Sequence, residues 1–289
     1  MKWVKHHEIF LFLISLFMIF FSLWPFASGA EKKMVVNLVH KYLDINFVVQ
    51  EEQKVQSKPE EPHTVEEQKI TVFVYHNVRP FFLGETKEQD LYDITPENFE
   101  QQLIYLRDNG YHVISPNDLF VDKTTGKVVT DVTKPVMITF DDGWKSQYEY
   151  AFPLLKKYNF KALFYIYIDP VGAPAFLSWS QIKEMRDAGM TMGSHTMSHP
   201  LLKKLSDSDL HREVFESKRI LEKKLGIVIK DFATPYGYSD DRISSVARDA
   251  GYRTLRTLFK GSYHDNLLSL KGYLVRDGMN EFISILNSN

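Results

Sequence analysis

Two acids stand side by side at Asp141 and Asp142, after the apolar run VMITF and just before Gly143. Neighbouring side chains on a strand point to opposite faces. Adjacent carboxylates therefore share one site only where the strand ends and the chain turns. Gly143 permits such a turn because it has no Cβ to clash. A second group is His195 and His199, in GMTMGSHTMSHP at residues 189–200. A spacing of four would put both rings on one face of a helix, as in zinc sites. Pro200 disfavours helical backbone at His199, so a strand end with a compact turn is expected. Taken singly, the acids read as an Asp-rich turn capping a helix, and the histidines as ordinary surface residues. Taken together, two His and one carboxylate form a three-ligand site with open positions, the kind a hydrolytic metal uses. One acid then holds the metal and its neighbour acts as general base on metal-bound water; the spacing leaves open which is which.

Such a site needs elements to position it. ITVFVYH (70–76), VMITF and ALFYIYI read as short buried strands. TPENFEQQLIYLRDNG reads as a helix, with Thr95 as cap, Pro96 in the first turn, and Phe99, Leu103 and Leu106 on one face. SDSDLHREVFESKRILEKKLG is a second helix, with Ser206 and Asp209 in capping-box spacing and Gly226 as stop. Arg107-Asp108-Asn109-Gly110, Arg186-Asp187-Ala188-Gly189 and Arg248-Asp249-Ala250-Gly251 each close a helix ahead of a strand-like stretch. Repeated helix–Gly–strand units imply an α/β fold with a parallel sheet, open or closed into a barrel. Chemistry in such sheets sits at the carboxyl ends of the strands, where Asp141 and Asp142 fall.

The N-terminus suggests export. Two lysines, an apolar run from Ile9 to about Phe26, and then Ala27, Ser28, Gly29 and Ala30 have the layout of a signal peptide over residues 1–30. The apolar run also approaches membrane-spanning length, so an N-terminal anchor is the alternative. Residues 31–69 read as an N-terminal extension whose last twenty residues form a charged, Pro-containing tether. The folded domain is expected over 70–289.

With 289 residues, 44% hydrophobic, the chain can bury a full core. A net charge of −2 without a dense basic run argues against nucleic-acid binding. The absence of cysteine removes disulfides and thiolate chemistry.

TFDDG, SHTMSH and FATPYG (232–237), in that order, resemble the polysaccharide deacetylase family, carbohydrate esterase family 4. The resemblance covers about residues 70–280. It implies a distorted (β/α) barrel and metal-dependent removal of acetyl groups from N-acetylglucosamine polymers. It makes Asp141 the catalytic base and Asp142, His195 and His199 the ligands of a divalent ion, Zn with Co, Ni or Fe as alternatives. The third motif departs from the family, with Ala233 standing where an arginine usually steadies the catalytic Asp. Arg276 in LVRDG is the expected substitute. The family's late catalytic His is also missing. His76, in FVYHNV, is expected to act as proton donor in its place, with His264 as rival and more simply a loop residue. An early Tyr-His with an Arg-less third motif is similar to the poly-β-1,6-N-acetylglucosamine N-deacetylases of biofilm matrix. Tyr236, Trp144 and Trp179 are expected to line a sugar-stacking groove or else to pack in the core.

The resemblance implies an extracellular polysaccharide substrate, association with the cell surface and no defined protein partner. Three other readings compete. A non-haem iron oxygenase would more often place its carboxylate two residues from the first His. In a glycoside hydrolase, adjacent acids do not easily face each other across a glycosidic bond at about 5–9 Å. A polysaccharide-binding module without activity would have no use for an intact ligand set.

Overall fold

The structure, a computed structural model, describes residues 67–288 apart from 83 and 86–90. The expected signal peptide and most of the expected tether lie outside the described residues. No helix among the described residues is long and apolar enough to cross a membrane.

Among the described residues there are twelve strands: β1 Thr71–Tyr75, β2 Asn77–Val78, β3 Asp93–Ile94, β4 His112–Val113, β5 Phe120–Val121, β6 Val128–Val129, β7 Pro135–Phe140, β8 Leu163–Ile166, β9 Thr191–Ser194, β10 Asp231–Ala233, β11 Thr254–Arg256 and β12 Tyr273–Leu274. The α-helices among these residues are α1 Pro96–Asp108, α2 Phe152–Lys157, α3 Trp179–Asp187, α4 Asp207–Leu225, α5 Asp241–Asp249 and α6 Met279–Asn287. Seven strands pair in the order β11-β10-β9-β8-β7-β1-β12, and β4 adds to β7. Every pairing in this sheet is parallel. The result is a half-barrel, as expected of the distorted (β/α) barrel.

Strands β1, β7 and β8 are buried along their whole length. With both faces covered, nothing forces alternation, which is why TVFVY and LFYI read as continuous apolar runs. Inside, Phe140 stacks on Phe164 at 4.7 Å and on Tyr75 at 5.4 Å. The edge strands β11 and β12 are drawn together by the intervening chain: Thr257 N–H donates to Leu270 O and Leu270 N–H donates to Leu255 O, both at 2.8 Å.

Local chemistry sets the helix ends. Thr95 caps α1 by accepting from Asn98 N–H, and the Asp277 carboxylate accepts from Thr95 N–H at 3.1 Å, tying α1 to the chain after β12. Ser206 caps α4, and Gly226 at φ 67° ends it. The three Arg-Asp pairs close α1, α3 and α5, each ahead of a strand.

The fold reaches further upstream than expected. Gln68 donates to Val132 O at 3.0 Å and accepts from Thr130 N–H at 2.6 Å, and Lys69 Nζ donates to Leu286 O at 2.8 Å. These residues read as tether because their side chains are polar. They belong to the domain because those same side chains satisfy backbone groups at its edge.

Candidate active site

Asp141 stays on the sheet ladder, its N–H donating to Tyr75 O at 2.9 Å. The chain then turns sharply. Asp142 and Gly143 both take φ 74°, and Gly143 N–H donates back to Asp141 O at 3.0 Å in a three-residue turn. A Cβ at Gly143 would lie 3.0 Å from the Ile166 side chain, so glycine fits both the conformation and the space. The turn carries both carboxylates into one site.

The histidines come from the end of β9. His195 is 1% exposed, and its Nδ1 faces Ala233 O at 2.8 Å. Donating that N–H leaves Nε2 as the free lone pair, aimed at Asp142. His199 lies in a non-helical turn, at φ 57°, with its N–H donating to Thr196 Oγ1 at 3.0 Å. Glu213 of α4 fixes this turn by accepting from Met197 N–H, Ser198 N–H and Ser198 Oγ at 2.8–2.9 Å.

Asp142 Oδ1 lies 3.3 Å from His199 Nε2 and 3.6 Å from His195 Nε2. The three donor atoms all fall within 4.8 Å of one another. Ligands at about 2.1 Å around one tetrahedral ion sit roughly 3.4 Å apart, so the set fits a divalent metal. Asp142 Oδ1 is buried and meets no donor in hydrogen-bond geometry, which leaves it available for a metal. Trp144 Nε1 donates to Oδ2 at 3.0 Å and orients the group. Burial alone would push the Asp142 carboxyl up, but the facing imidazoles of His199, His195 and His76 outweigh it and hold the group below the ordinary carboxylate range. Burial pushes His195 down to about 4, against the pull of Asp141 and Asp142, so it is the neutral imidazole a metal requires.

Asp141 is 2% exposed and ion-paired with Arg256 Nη2, itself fully buried. Arg276, the expected partner, is exposed instead. Sheet register explains the exchange. Ala233 on β10 pairs with Arg256 on β11, so the guanidinium arrives from the neighbouring strand at the level of the alanine. Arg256 was missed, although an arginine inside TLRTL was a signal: a cation in a fully buried strand needs an acid. Glu213 gave no comparable signal, since its spacing on α4 resembles that of any helix surface.

His76 follows β1, with Nε2 3.9 Å from Asp141 Oδ2 and its ring 5.1 Å from that of Tyr92. His76 and Asp141 are therefore neighbours in the site. His264 is buried rather than displayed on a loop surface. Its Nε2 faces Ile70 O at 2.8 Å and its Nδ1 accepts from Lys271 N–H at 3.1 Å, so both nitrogens serve the fold. Burial pushes His264 down to about 4. Unfolding lets it bind a proton near its ordinary value of about 6.5. Its stabilising contribution is therefore complete above about pH 6.5 and is lost as pH falls towards 4, on the order of 3 kcal/mol in all. Urea unfolding at pH 7 and pH 5 checks this: the His264→Gln variant should lose less stability on acidification than the wild type, with turnover at neutral pH little changed.

The aromatic residues divide. Tyr236, 63% exposed at φ 60°, sets its ring 4.9 Å from that of His199. The Trp144 ring stacks on Phe176 at 4.4 Å beside Asp142. Trp179 packs on the core, with Lys224 Nζ 5.6 Å from its ring.

The family profile described as polysaccharide deacetylase matches residues 129–255, a span holding both acids and both histidines but not His76. The solved Streptococcus pyogenes deacetylase PplD, in complex with acetate, is similar at 29% identity and a TM-score of 0.69, over 76% of this chain and 99% of that one. The Bacillus anthracis protein BA0330, assigned to the polysaccharide deacetylases, is 31% identical with a TM-score of 0.65, over 76% and 69%. The poly-β-1,6-N-acetyl-D-glucosamine N-deacetylase of Staphylococcus aureus is 28% identical over 201 residues, 62% of this chain and 68% of that protein. Across the curated relatives first matched, the alignment spans 63–68% of their length. The chain belongs to the polysaccharide deacetylase family, hydrolases acting on amide bonds.

Proposed function

We propose that this chain removes acetyl groups from an extracellular N-acetylglucosamine polymer, most specifically poly-β-1,6-N-acetyl-D-glucosamine. The observation that carries the reading is the convergence of the Asp142–His195–His199 cluster with the Arg256-paired Asp141 at one strand end. A divalent ion held by Asp142, His195 and His199 would polarise the acetamide carbonyl and acidify a bound water. Asp141 accepts the proton of the attacking water, and Arg256, ion-paired with that carboxylate, keeps it aimed. The Tyr236 backbone N–H is a donor for the developing oxyanion. His76 passes a proton to the departing nitrogen. Amide and water thus become acetate and a free amine. The amine is cationic near neutral pH, which would help retain the polymer on an anionic cell surface and support biofilm.

Relatives named for the β-1,6 polymer and the His76 placement support this substrate. Export through the leader and zinc as the ion complete the reading. The test is acetate release by the full chain from β-1,6-linked and β-1,4-linked N-acetylglucosamine oligomers, before and after chelation. Faster release from the β-1,6 series, lost on chelation and restored by zinc, is expected. Preference for the β-1,4 series would move the substrate to chitin-like or peptidoglycan polymers, and binding without any release would leave a polysaccharide-binding module. His76→Gln should lower turnover about 10²-fold with metal content unchanged. Wild-type turnover in that variant would remove His76 as the donor.

A further inference from the structure

A cavity of about 460 Å³ lies at the seam between the chain after β11 and the α6 side of β12. Its lining includes Leu258, Lys260, Tyr273, Arg276, Glu281 and Ser284. One backbone hydrogen bond links its wall to the residue after Tyr236. Leu258 N–H donates to Gly237 O at 2.9 Å, and Gly237 follows Tyr236, whose ring lies against His199. The contact is close enough that a Cβ on Gly237 would come within 2.2 Å of the Leu258 side chain. Phe259, between the two lining residues Leu258 and Lys260, is 44% exposed and meets Tyr238 edge-on at 6.2 Å.

The charges in this cavity have no internal use. Arg276 does not reach Asp141, where Arg256 has taken its place. Neither Arg276 nor Lys260 has a carboxylate within ion-pair distance among the described residues, and Glu281 on the same wall pairs with neither. Most arginines of this domain behave differently: Arg79, Arg107, Arg186, Arg212, Arg219, Arg242 and Arg256 each hold an acid. Two unpaired cations and a hydroxyl, set against the single Glu281 carboxylate, leave this wall with one net positive charge, which attracts an anion, and guanidinium groups suit carboxylate and phosphate alike.

We propose that this cavity is a subsite for an acidic substituent on a sugar neighbouring the one being deacetylated. The enzyme would then act preferentially on an N-acetylglucosamine polymer carrying carboxylate or phosphate groups. The inference rests on the deacetylase reading and adds a substrate class to it. It has a consequence for product handling, because a stretch already rich in free amines would be repelled from the two cations, whereas an acidic acetylated stretch would be held.

The test compares three acetylated oligomers of equal length: neutral, bearing O-linked carboxylates, and bearing O-linked phosphates. At low salt the wild-type chain should show a KM about fivefold lower for at least one acidic oligomer, and the advantage should vanish at high salt. The arm that shows it identifies the acid. In the K260Q/R276Q double variant, KM for that acidic oligomer should rise to the neutral value, with kcat and the neutral KM unchanged. Equal KM values for all three oligomers in the wild type would overturn the proposal. So would an equal loss on neutral and acidic oligomers in the variant. Calorimetric binding of the same oligomers separates the two readings: charge-dependent binding without acetate release would sink the deacetylase reading and keep the subsite.

Discussion

Asp141→Asn should leave the metal content of the protein unchanged and lower turnover by about 10³-fold. The substitution keeps the side chain's shape and removes its capacity to accept a proton. Asp141 faces Arg256 and His76. The group that could hold a metal consists of Asp142, His195 and His199 without it. Asp142→Ala should behave in the opposite way, losing the ion first and activity as a consequence. Elemental analysis beside initial rates distinguishes the pair. Near-normal turnover in Asp141→Asn would remove it from the mechanism, and loss of metal would make it a ligand.

Arg256→Met should cost roughly 3–5 kcal/mol of stability and also lower turnover by about 10²-fold. The guanidinium is fully buried against an acid that is 2% exposed. Removing the cation leaves an uncompensated carboxylate in a dry interior, which destabilises the fold and leaves the acid free to turn out of position. Both outcomes harm a general base. The Tyr165 ring, 5.2 Å from the guanidinium carbon, gives the methionine an apolar surface to pack on, so the loss reports charge rather than a cavity. Adding Asp141→Asn to Arg256→Met should recover most of the stability and none of the activity. Urea unfolding of the four proteins in this cycle measures the coupling. Additive stabilities would show that the pair does not act as a unit. A positioning role for Arg256 would also appear as a fall in kcat with KM little changed.

The local features of this protein were written in its sequence because they depend on nearby residues. Thr95, Ser206 and Gly226 mark helix ends by satisfying backbone groups a few positions away. Continuous apolar runs mark β1, β7 and β8 because a parallel sheet covered on both faces asks only for hydrophobicity. Asp141, Asp142, His195 and His199 stood out because two acids ahead of a glycine, and two histidines ahead of a proline, are motifs of short range.

Tertiary structure decided what depends on register between distant strands. Arg256 serves Asp141, 115 positions away, because β10 and β11 align Ala233 with Arg256. Arg276 looked equivalent in sequence, but it stands exposed on the chain after β12 and faces a different cavity. Glu213 braces the His199 turn through backbone groups that carry no sequence signature. His264 turned inward because its two nitrogens match a carbonyl and an N–H brought together only by folding. Sequence determines which residues carry charge and where the chain turns. The pairing of those charges follows from strand order, which is fixed by the packing of the whole sheet.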